Sequence, residues 1–142
     1  MQVRKSFFET NSSSVHSITL GPKDFKREGN FDVEGGVVKI YPGEFGWGPE
    51  KFNDAATKAS YALTWAKQAG DRKYLGMLRD VVNKVTEYKV NFVPSSDEYY
   101  PWGYIDHQSF PEVGAQVFES EEILENFIFN PASVLVIDND NH

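Results

Sequence analysis

Residues 49–89 read PEKFNDAATKASYALTWAKQAGDRKYLGMLRDVVNKVTEYK, a stretch in which apolar residues recur every three or four positions. This spacing predicts a first helix over residues 49–70, with Pro49 at its first position and Gly70 as its stop. The apolar stripe of this helix consists of Phe52, Ala55 or Ala56, Ala59, Leu63 and Ala66. Because such a stripe must be buried against another apolar surface, the helix is expected to pack on a sheet.

A second helix is predicted over residues 71–89, immediately after the first. Asp71 stands at its start, where a carboxylate can accept hydrogen bonds from the free amides of the first helical turn. The apolar stripe of this second helix consists of Tyr74, Leu78, Val81, Val85 and Tyr88. Because the break between the two stripes is short, the helices are expected to form a hairpin.

Runs of β-branched and aromatic residues on both sides of the helical pair predict short strands. The predicted strands are residues 15–20, 30–34, 37–41, 90–93 and 134–137. Gly35-Gly36 separates two of them as in a hairpin, and Ser120 can cap a short helix that ends near Phe129. Residues 1–142 are therefore expected to form a single α+β domain. In this domain a mixed or antiparallel sheet is covered on one face by the helical hairpin and by the short C-terminal helix.

The composition is that of a globular protein without thiol chemistry. The chain has 142 residues, of which 40% are hydrophobic, and it contains no cysteine. No phosphate-binding loop, dinucleotide fingerprint, zinc-binding helix motif or nucleic-acid-binding module occurs, and residues 138–142 lack the glycine and the distal glutamate of a calcium loop. No window approaches the roughly 18 apolar residues of a membrane span. We therefore predict a cytoplasmic protein that needs no cofactor or metal and enters no membrane.

The charged residues are distributed very unevenly along the chain. The first 89 residues carry all 14 basic residues and 11 acidic ones, whereas residues 90–142 carry ten acidic residues and no lysine or arginine. The formal charges of the two parts are therefore +3 and −10, in agreement with −7 for the whole chain. Because a field of one sign attracts basic surfaces and repels phosphate backbones, we predict a basic protein partner and no direct contact with nucleic acid. The basic residues in and near the helices are expected to form a solvated face: Lys51, Lys58, Lys67, Arg72, Lys73, Arg79 and Lys84.

An aromatic cluster lies inside the acidic part of the chain, within the irregular segment of residues 94–114. Tyrosine and tryptophan with a polar rim are typical of protein-binding surfaces, whereas aromatic platforms for nucleic acid have basic neighbours. The candidate partner-binding residues are Asp97, Glu98, Tyr99, Tyr100, Trp102 and, from the glycine-rich loop at residues 44–48, Trp47. A plug that folds over the sheet, with Trp47 turned into the core, explains the same aromatic residues.

Hydroxyl and imidazole groups at the first strand suggest a site of a different kind. Ser14 and His16 are two positions apart, so an extended backbone places both on one face. There His16 can act as the base for a serine nucleophile. The sequence contains no Gly-x-Ser-x-Gly nucleophile elbow. Local turns that satisfy backbone groups at the entrance to the strand explain these residues as well, and this is the favoured interpretation.

Asp106 and His107 form the other polar pair. An aspartate beside a histidine can ligate a metal, or one of them can orient a substrate while the imidazole titrates near neutral pH. In an extended backbone the two side chains face opposite ways, so only a turn brings both to one site. An exposed polar loop accounts for the pair equally well. The enzyme hypothesis therefore combines Ser14, His16, Asp106 and His107, with Glu44 as a further candidate.

Short islands across the chain resemble a group of small bacteriophage-type proteins that have no assigned activity. The islands are Phe8-Glu9-Thr10-Asn11-Ser12-Ser13-Ser14-Val15-His16-Ser17, Glu44-Phe45-Gly46-Trp47, Gly103-Tyr104-Ile105-Asp106-His107-Gln108-Ser109 and Phe127-Ile128-Phe129-Asn130. The resemblance implies expression in a bacterial cytoplasm as an accessory gene product, and it implies no catalytic role. Since the islands are mostly polar and lie outside the predicted helical pair, they suit one composite site.

These observations lead to two hypotheses of function. The first is a small acidic accessory protein that binds a basic surface of a host or defence protein and can inhibit a nucleic-acid-binding protein. The alternative is a small hydrolase or group-transfer enzyme with a site formed by Ser14, His16, Asp106 and His107. An exposed acidic patch favours binding, whereas two imidazoles in one pocket favour catalysis. Because no motif specifies a reaction mechanism, binding is the preferred hypothesis.

Overall fold

The α+β class expected from the sequence is confirmed. The computed structural model describes residues 14–46, 48–105 and 112–139. The described strands are β1 (Ser14–Thr19), β2 (Asp32–Glu34), β3 (Val37–Ile40), β4 (Glu44–Phe45), β5 (Glu50–Phe52), β6 (Lys89–Phe92), β7 (Tyr104–Ile105) and β8 (Val134–Asn139). The described helices are α1 (Ala55–Ala69), α2 (Arg72–Thr86), α3 (Glu112–Val117) and α4 (Glu121–Phe129). Buried side chains from strands and helices together form one hydrophobic core.

The described strands form three small sheets instead of the single sheet expected from the sequence. β1, β8 and β5 form an antiparallel sheet with β8 in the centre. β2 and β3 form the hairpin predicted at Gly35-Gly36, and β6 joins this hairpin parallel to β3. β4 and β7 form a short parallel pair. Each sheet therefore joins segments that are far apart in the chain.

Helix α1 begins at Ala55, later than the sequence predicted. Asp54 is the N-cap, and its side chain accepts a 2.9 Å hydrogen bond from the amide of Thr57. The expected start at Pro49 is wrong, because Glu50–Phe52 forms β5 and pairs with β8. Gly70 ends α1 as predicted, with a left-handed φ of 75° that a residue without a side chain adopts readily.

Helix α1 lies in the centre of the molecule, in contact with the other helices and with strands of two sheets. Residues 61–66 of this helix are all buried. α1 contacts α2, α3 and α4 as well as β3 and β7. Packing against elements on several sides accounts for the burial of its polar residues Lys58 and Thr64 as well as of its apolar ones. α2 packs beside it as the second arm of the predicted hairpin and buries Leu78, Val81 and Val82.

The N-caps of α2 and α4 agree with the predictions. Asp71 accepts a 3.0 Å hydrogen bond from the amide of Lys73, and Ser120 accepts one of 3.1 Å from the amide of Ile123. Both bonds satisfy an amide that has no partner inside its own helix. α2 ends at a C-cap with a left-handed φ of 65°, before the predicted residue 89, because Lys89 already belongs to β6.

Lys58 contradicts the prediction of a solvated basic face, because its side chain is 0% exposed. Its Nζ donates hydrogen bonds of 2.8 Å to the carbonyl oxygens of both Asn130 and Ser133. Burial lowers the pKa of Lys58 from 10.5 to about 8. The ammonium group therefore holds the turn between α4 and β8 against α1, a role that local sequence does not reveal.

A network of amides and hydroxyls surrounds the same turn. Asn126 Nδ2 donates to the carbonyl oxygen of Gly21 at 3.1 Å, and Asn130 Nδ2 donates to that of Pro22 at 3.0 Å. The amide of Gly21 in turn donates to Ser133 Oγ at 2.9 Å. These bonds fix the segment after β1 to the C-terminal end of α4.

Candidate functional site

Residues 94–103, which we call the acidic loop, form a closed and internally bonded turn. Asp97 Oδ1 accepts hydrogen bonds from the amides of Tyr99 and Tyr100, at 2.8 and 3.0 Å. The amide of Ser95 donates to the carbonyl oxygen of Pro101 at 2.7 Å, which closes the base of the loop. A segment that appeared irregular from its sequence is thus held in a defined shape, as is typical when an aspartate bonds the backbone two residues later.

The acidic loop presents its charged and aromatic side chains to solvent. Asp97 and Glu98 are exposed, and the exposed fractions of Tyr99 and Tyr100 are 81% and 48%. The two amides that bond Asp97 lower the pKa of its carboxyl group below the ordinary value, so the carboxylate stays ionised at mildly acidic pH. This surface therefore keeps a negative charge beside two exposed phenol rings at neutral and mildly acidic pH.

The position of Trp102 lies between the two alternatives that its sequence suggested, an exposed partner-binding residue and a plug over the sheet. Its side chain is half-buried and packs against the hydrophobic core. The Nζ of Lys67 lies 3.8 Å from the centroid of its ring. The next residue of α1, Gln68, accepts a 3.0 Å hydrogen bond from the amide of Ile105. The end of α1 therefore supports the segment that carries Trp102.

A cleft of about 390 Å³ opens between the acidic loop and the segment that contains β4. It is lined by Pro42, Gly43, Glu44, Ser95, Ser96, Asp97, Tyr100 and Gly103. Gly103 has a left-handed φ of 79°, and a Cβ atom there would lie 2.2 Å from the carbonyl oxygen of Gly43. That oxygen accepts a 3.0 Å hydrogen bond from the amide of Tyr104. This close backbone approach holds the two walls of the cleft together.

The groups that line the cleft suit a cation. Glu44 lies on the β4 side of the cleft and Asp97 lies on the acidic-loop side, so the lining includes two acidic residues. Tyr100 adds a ring that lies 5.1 Å, centroid to centroid, from the ring of Tyr104. Carboxylates and aromatic faces attract ammonium and guanidinium groups, whereas they repel phosphate. Within residues 14–46, 48–105 and 112–139, no group of three or more histidine or carboxylate side chains could hold a metal ion.

Part of the acidic segment is neutralised inside the molecule. Glu125 is largely buried and accepts hydrogen bonds from Arg27 and from Lys84, the latter at 3.1 Å. Burial alone would raise the pKa of Glu125, but these two cations bring it below its ordinary value. The salt bridges of the described residues involve neither Asp97 nor Glu98. The carboxylates of the acidic loop therefore remain available to a partner.

His16, the candidate base, is bonded to a residue that sequence reasoning missed. Its Nδ1 lies 2.7 Å from the hydroxyl oxygen of Tyr61, which is fully buried in α1. Burial raises the pKa of the Tyr61 phenol above its ordinary value, so the hydroxyl group keeps its proton. The only signal in the sequence was a tyrosine inside a helix of apolar residues, since a buried phenol usually needs a hydrogen-bond partner.

Glu50 was also missed, because the sequence placed it in a helix. Both Glu50 and His16 pair with Ile137, one from each side of β8, so the three side chains lie on one face of the sheet. Among the described residues, Glu50 Oε1 is buried without a hydrogen-bond partner. Burial raises the pKa of this carboxyl group, and a hydrogen bond from the amide of Gly46 opposes the shift. His16 and Glu50 therefore lie on the same face of this sheet, on either side of Ile137.

Comparison with protein-family models, with curated proteins and with solved structures found no match. The resemblance to bacteriophage-type proteins therefore stays a prediction. Among the described residues, no helix is both long and apolar enough to cross a membrane.

The structure places only some of the predicted site residues. Ser14 lies two positions before His16 in β1. Asp106, His107 and Trp47 lie outside the described residues. The hydrolase or group-transfer site therefore stays a prediction, whereas the exposure expected for Asp97, Glu98 and their two tyrosine neighbours agrees with the structure.

Proposed function

We propose that this protein binds a partner protein through its acidic loop and the adjoining cleft. The proposal depends on one observation above all, that a cleft with acidic residues on two walls adjoins two exposed tyrosine rings. A protein partner needs apolar anchors as well as charge, and Tyr99 and Tyr100 supply them. The occupant of the cleft is a lysine or arginine side chain on a basic surface of the partner.

Charge and aromatic area have separate roles in this mode of binding. The carboxylates of residues 90–142 accelerate encounter with a basic surface, because their field extends over a Debye length of about 8 Å at physiological salt. Once the surfaces meet, desolvated tyrosine rings and a cation between Glu44 and Asp97 slow dissociation. Binding of this kind weakens as salt concentration rises.

The biological setting that we propose is that of a small acidic accessory protein of bacteriophage type in a bacterial cytoplasm. Its partner is a host or defence protein whose basic surface binds nucleic acid. Since residues 90–142 carry a formal charge of −10, they compete with phosphate backbones for such a surface. Occupation of the basic surface by the acidic loop would inhibit the partner.

The test uses a fluorescently labelled octalysine peptide as the probe and an octaglutamate peptide as its counterpart. Fluorescence anisotropy is expected to show binding of octalysine and no binding of octaglutamate. The affinity for octalysine should fall as the salt concentration rises. Asp97→Asn combined with Glu98→Gln should abolish most of the binding, because the asparagine side chain keeps the turn-forming acceptor but removes the charge. Glu121→Gln combined with Glu122→Gln is the matched control, since both glutamates are exposed in the first turn of α4. Equal losses in the two double variants would attribute binding to net charge alone and overturn the proposal.

A further inference from the structure

The ring of Trp102 is already in contact with a cation of the same chain. Lys67 Nζ lies 3.8 Å from the ring centroid, well within the distance of about 6 Å over which a cation is attracted to an aromatic face. Lys67 projects from the last turn of α1. The face of Trp102 beneath this ammonium group is the kind of surface that a basic side chain of a partner would contact.

We propose that Lys67 is an internal competitor for the partner's cation, an inference that rests on the function proposed above. While Lys67 covers the ring of Trp102, an incoming lysine or arginine meets both an occupied face and a like charge. Full engagement of the acidic loop then requires the ammonium group of Lys67 to leave the ring. The contact lowers the affinity of the loop for weakly basic surfaces and selects partners with enough positive charge to displace it.

The surroundings of Lys67 allow such displacement. Its side chain is only half-buried, and the salt bridges of the described residues do not include it. A lysine stem is flexible, and a cation–π contact between two half-buried side chains is weak enough for a ligand to replace. Lys58 offers the opposite case, because it is fully buried and donates to two carbonyl oxygens. The two lysines of α1 therefore differ in whether they can move.

Replacement of Lys67 should strengthen binding of the octalysine probe. Lys67→Met removes the competitor and one positive charge, whereas Lys51→Met removes the same charge from an exposed position on β5. We expect Lys67→Met to lower the dissociation constant about threefold beyond the effect of Lys51→Met, the equivalent of a weak cation–π contact. Lys67→Arg should keep the affinity of the unmodified protein, since a guanidinium group also stacks on tryptophan.

A double variant separates competition from simple electrostatics. In a Trp102→Leu background, Lys67→Met should improve binding no more than Lys51→Met does, because there is no ring to release. If Lys67→Met binds octalysine no better than Lys51→Met in the unmodified background, the inference is overturned while the proposed function stands. Weaker binding together with a lower melting temperature would also overturn it and assign Lys67 a purely structural role. Absence of octalysine binding by the unmodified protein would instead reject the proposed function.

Discussion

The imidazole of His16 and the phenol of Tyr61, with 2.7 Å between Nδ1 and the hydroxyl oxygen, connect an edge strand to the central helix. β1 also pairs with β8 along its whole length. Since residue 61 is fully buried, the hydroxyl group cannot exchange its partner for water. This bond therefore anchors the start of the described chain to the core.

Tyr61→Phe should lower the free energy of unfolding by about 0.5–1.5 kcal/mol, the usual net value of one hydrogen bond. The ring still fills its place beside Phe45, 5.1 Å away, so the loss reports on the hydroxyl group alone. Urea denaturation measures it, with the exposed Tyr88→Phe as the control. A change within that of the control would mean that this hydrogen bond contributes nothing to the stability of the fold.

Lys58→Met should destabilise the protein by about 1–3 kcal/mol, because the carbonyl oxygens of Asn130 and Ser133 lose a buried donor. Relief from burying a charge offsets part of this loss. The exposed Lys51→Met should change the free energy of unfolding by no more than about 0.5 kcal/mol. Chemical denaturation of both variants at neutral pH provides the comparison. Equal stabilities would mean that the hydrogen bonds of Lys58 do not stabilise the fold.

The contribution of Lys58 to stability should rise with pH between about 8 and 10.5. Its pKa is about 8 in the folded protein and about 10.5 in the unfolded chain, so within this window the unfolded chain binds more protons. Neutral Lys58 still has two N–H groups for its two carbonyl partners. The difference in unfolding free energy between the unmodified protein and Lys58→Met should therefore be larger at pH 10 than at pH 7.5. A difference that shrinks over this range would contradict the lowered pKa.

Gly103→Ala should damage both the cleft and the fold, because a Cβ atom there would meet the carbonyl oxygen of Gly43. A positive φ adds backbone strain, so we expect a loss of more than about 1 kcal/mol together with weaker octalysine binding. Gly76→Ala is the matched control, since the added carbon in α2 would meet no atom within 4 Å outside its chain neighbours and its own helix backbone. That control should stabilise the protein by about 0.5–1 kcal/mol. Thermal unfolding and fluorescence anisotropy measure the two effects.

Charge and aromatic side chains of the acidic loop should affect different rate constants. Asp97→Asn combined with Glu98→Lys keeps the acceptor that forms the turn and should mainly slow association with octalysine, whereas Trp102→Ala should mainly accelerate dissociation. Stopped-flow fluorescence separates the two rates, and Glu121→Gln with Glu122→Lys serves as the control for net charge. If Trp102→Ala left the dissociation rate unchanged, its ring would have no part in holding the probe.

The helix ends that were predicted correctly are those determined by neighbouring residues. Asp71 and Ser120 each cap a helix through an amide two or three positions later, and Gly70 supplies the left-handed residue at a helix end. The start at Pro49 failed for a non-local reason. Phe52 pairs with Leu135, a partner that no local pattern identifies. Helical spacing therefore identified the helix correctly but placed its first turn inside a strand.

The candidate site, like the helix ends, was predictable only where neighbouring residues determine it. Carboxylates and tyrosines cluster around residue 98 without the apolar spacing of a helix or a strand. This composition indicated an irregular segment with exposed side chains. The second wall of the cleft was not predictable, since Glu44 reaches it through a pairing of two-residue strands. The burial of Lys58 was not predictable for a similar reason. Its two acceptors follow α4 in the sequence, and no pattern around residue 58 specifies them.

The central place of β8 in its sheet has a consequence for synthesis of the protein on the ribosome. β1 and β5 emerge early from the ribosome, yet each pairs with β8, which is translated after all the helices described. Until β8 emerges, both of these strands have unpaired backbone edges of the kind that promotes aggregation. The helical pair of the nascent chain can form first. The sheet that contains β8 must form late, because it joins segments that are far apart in the chain.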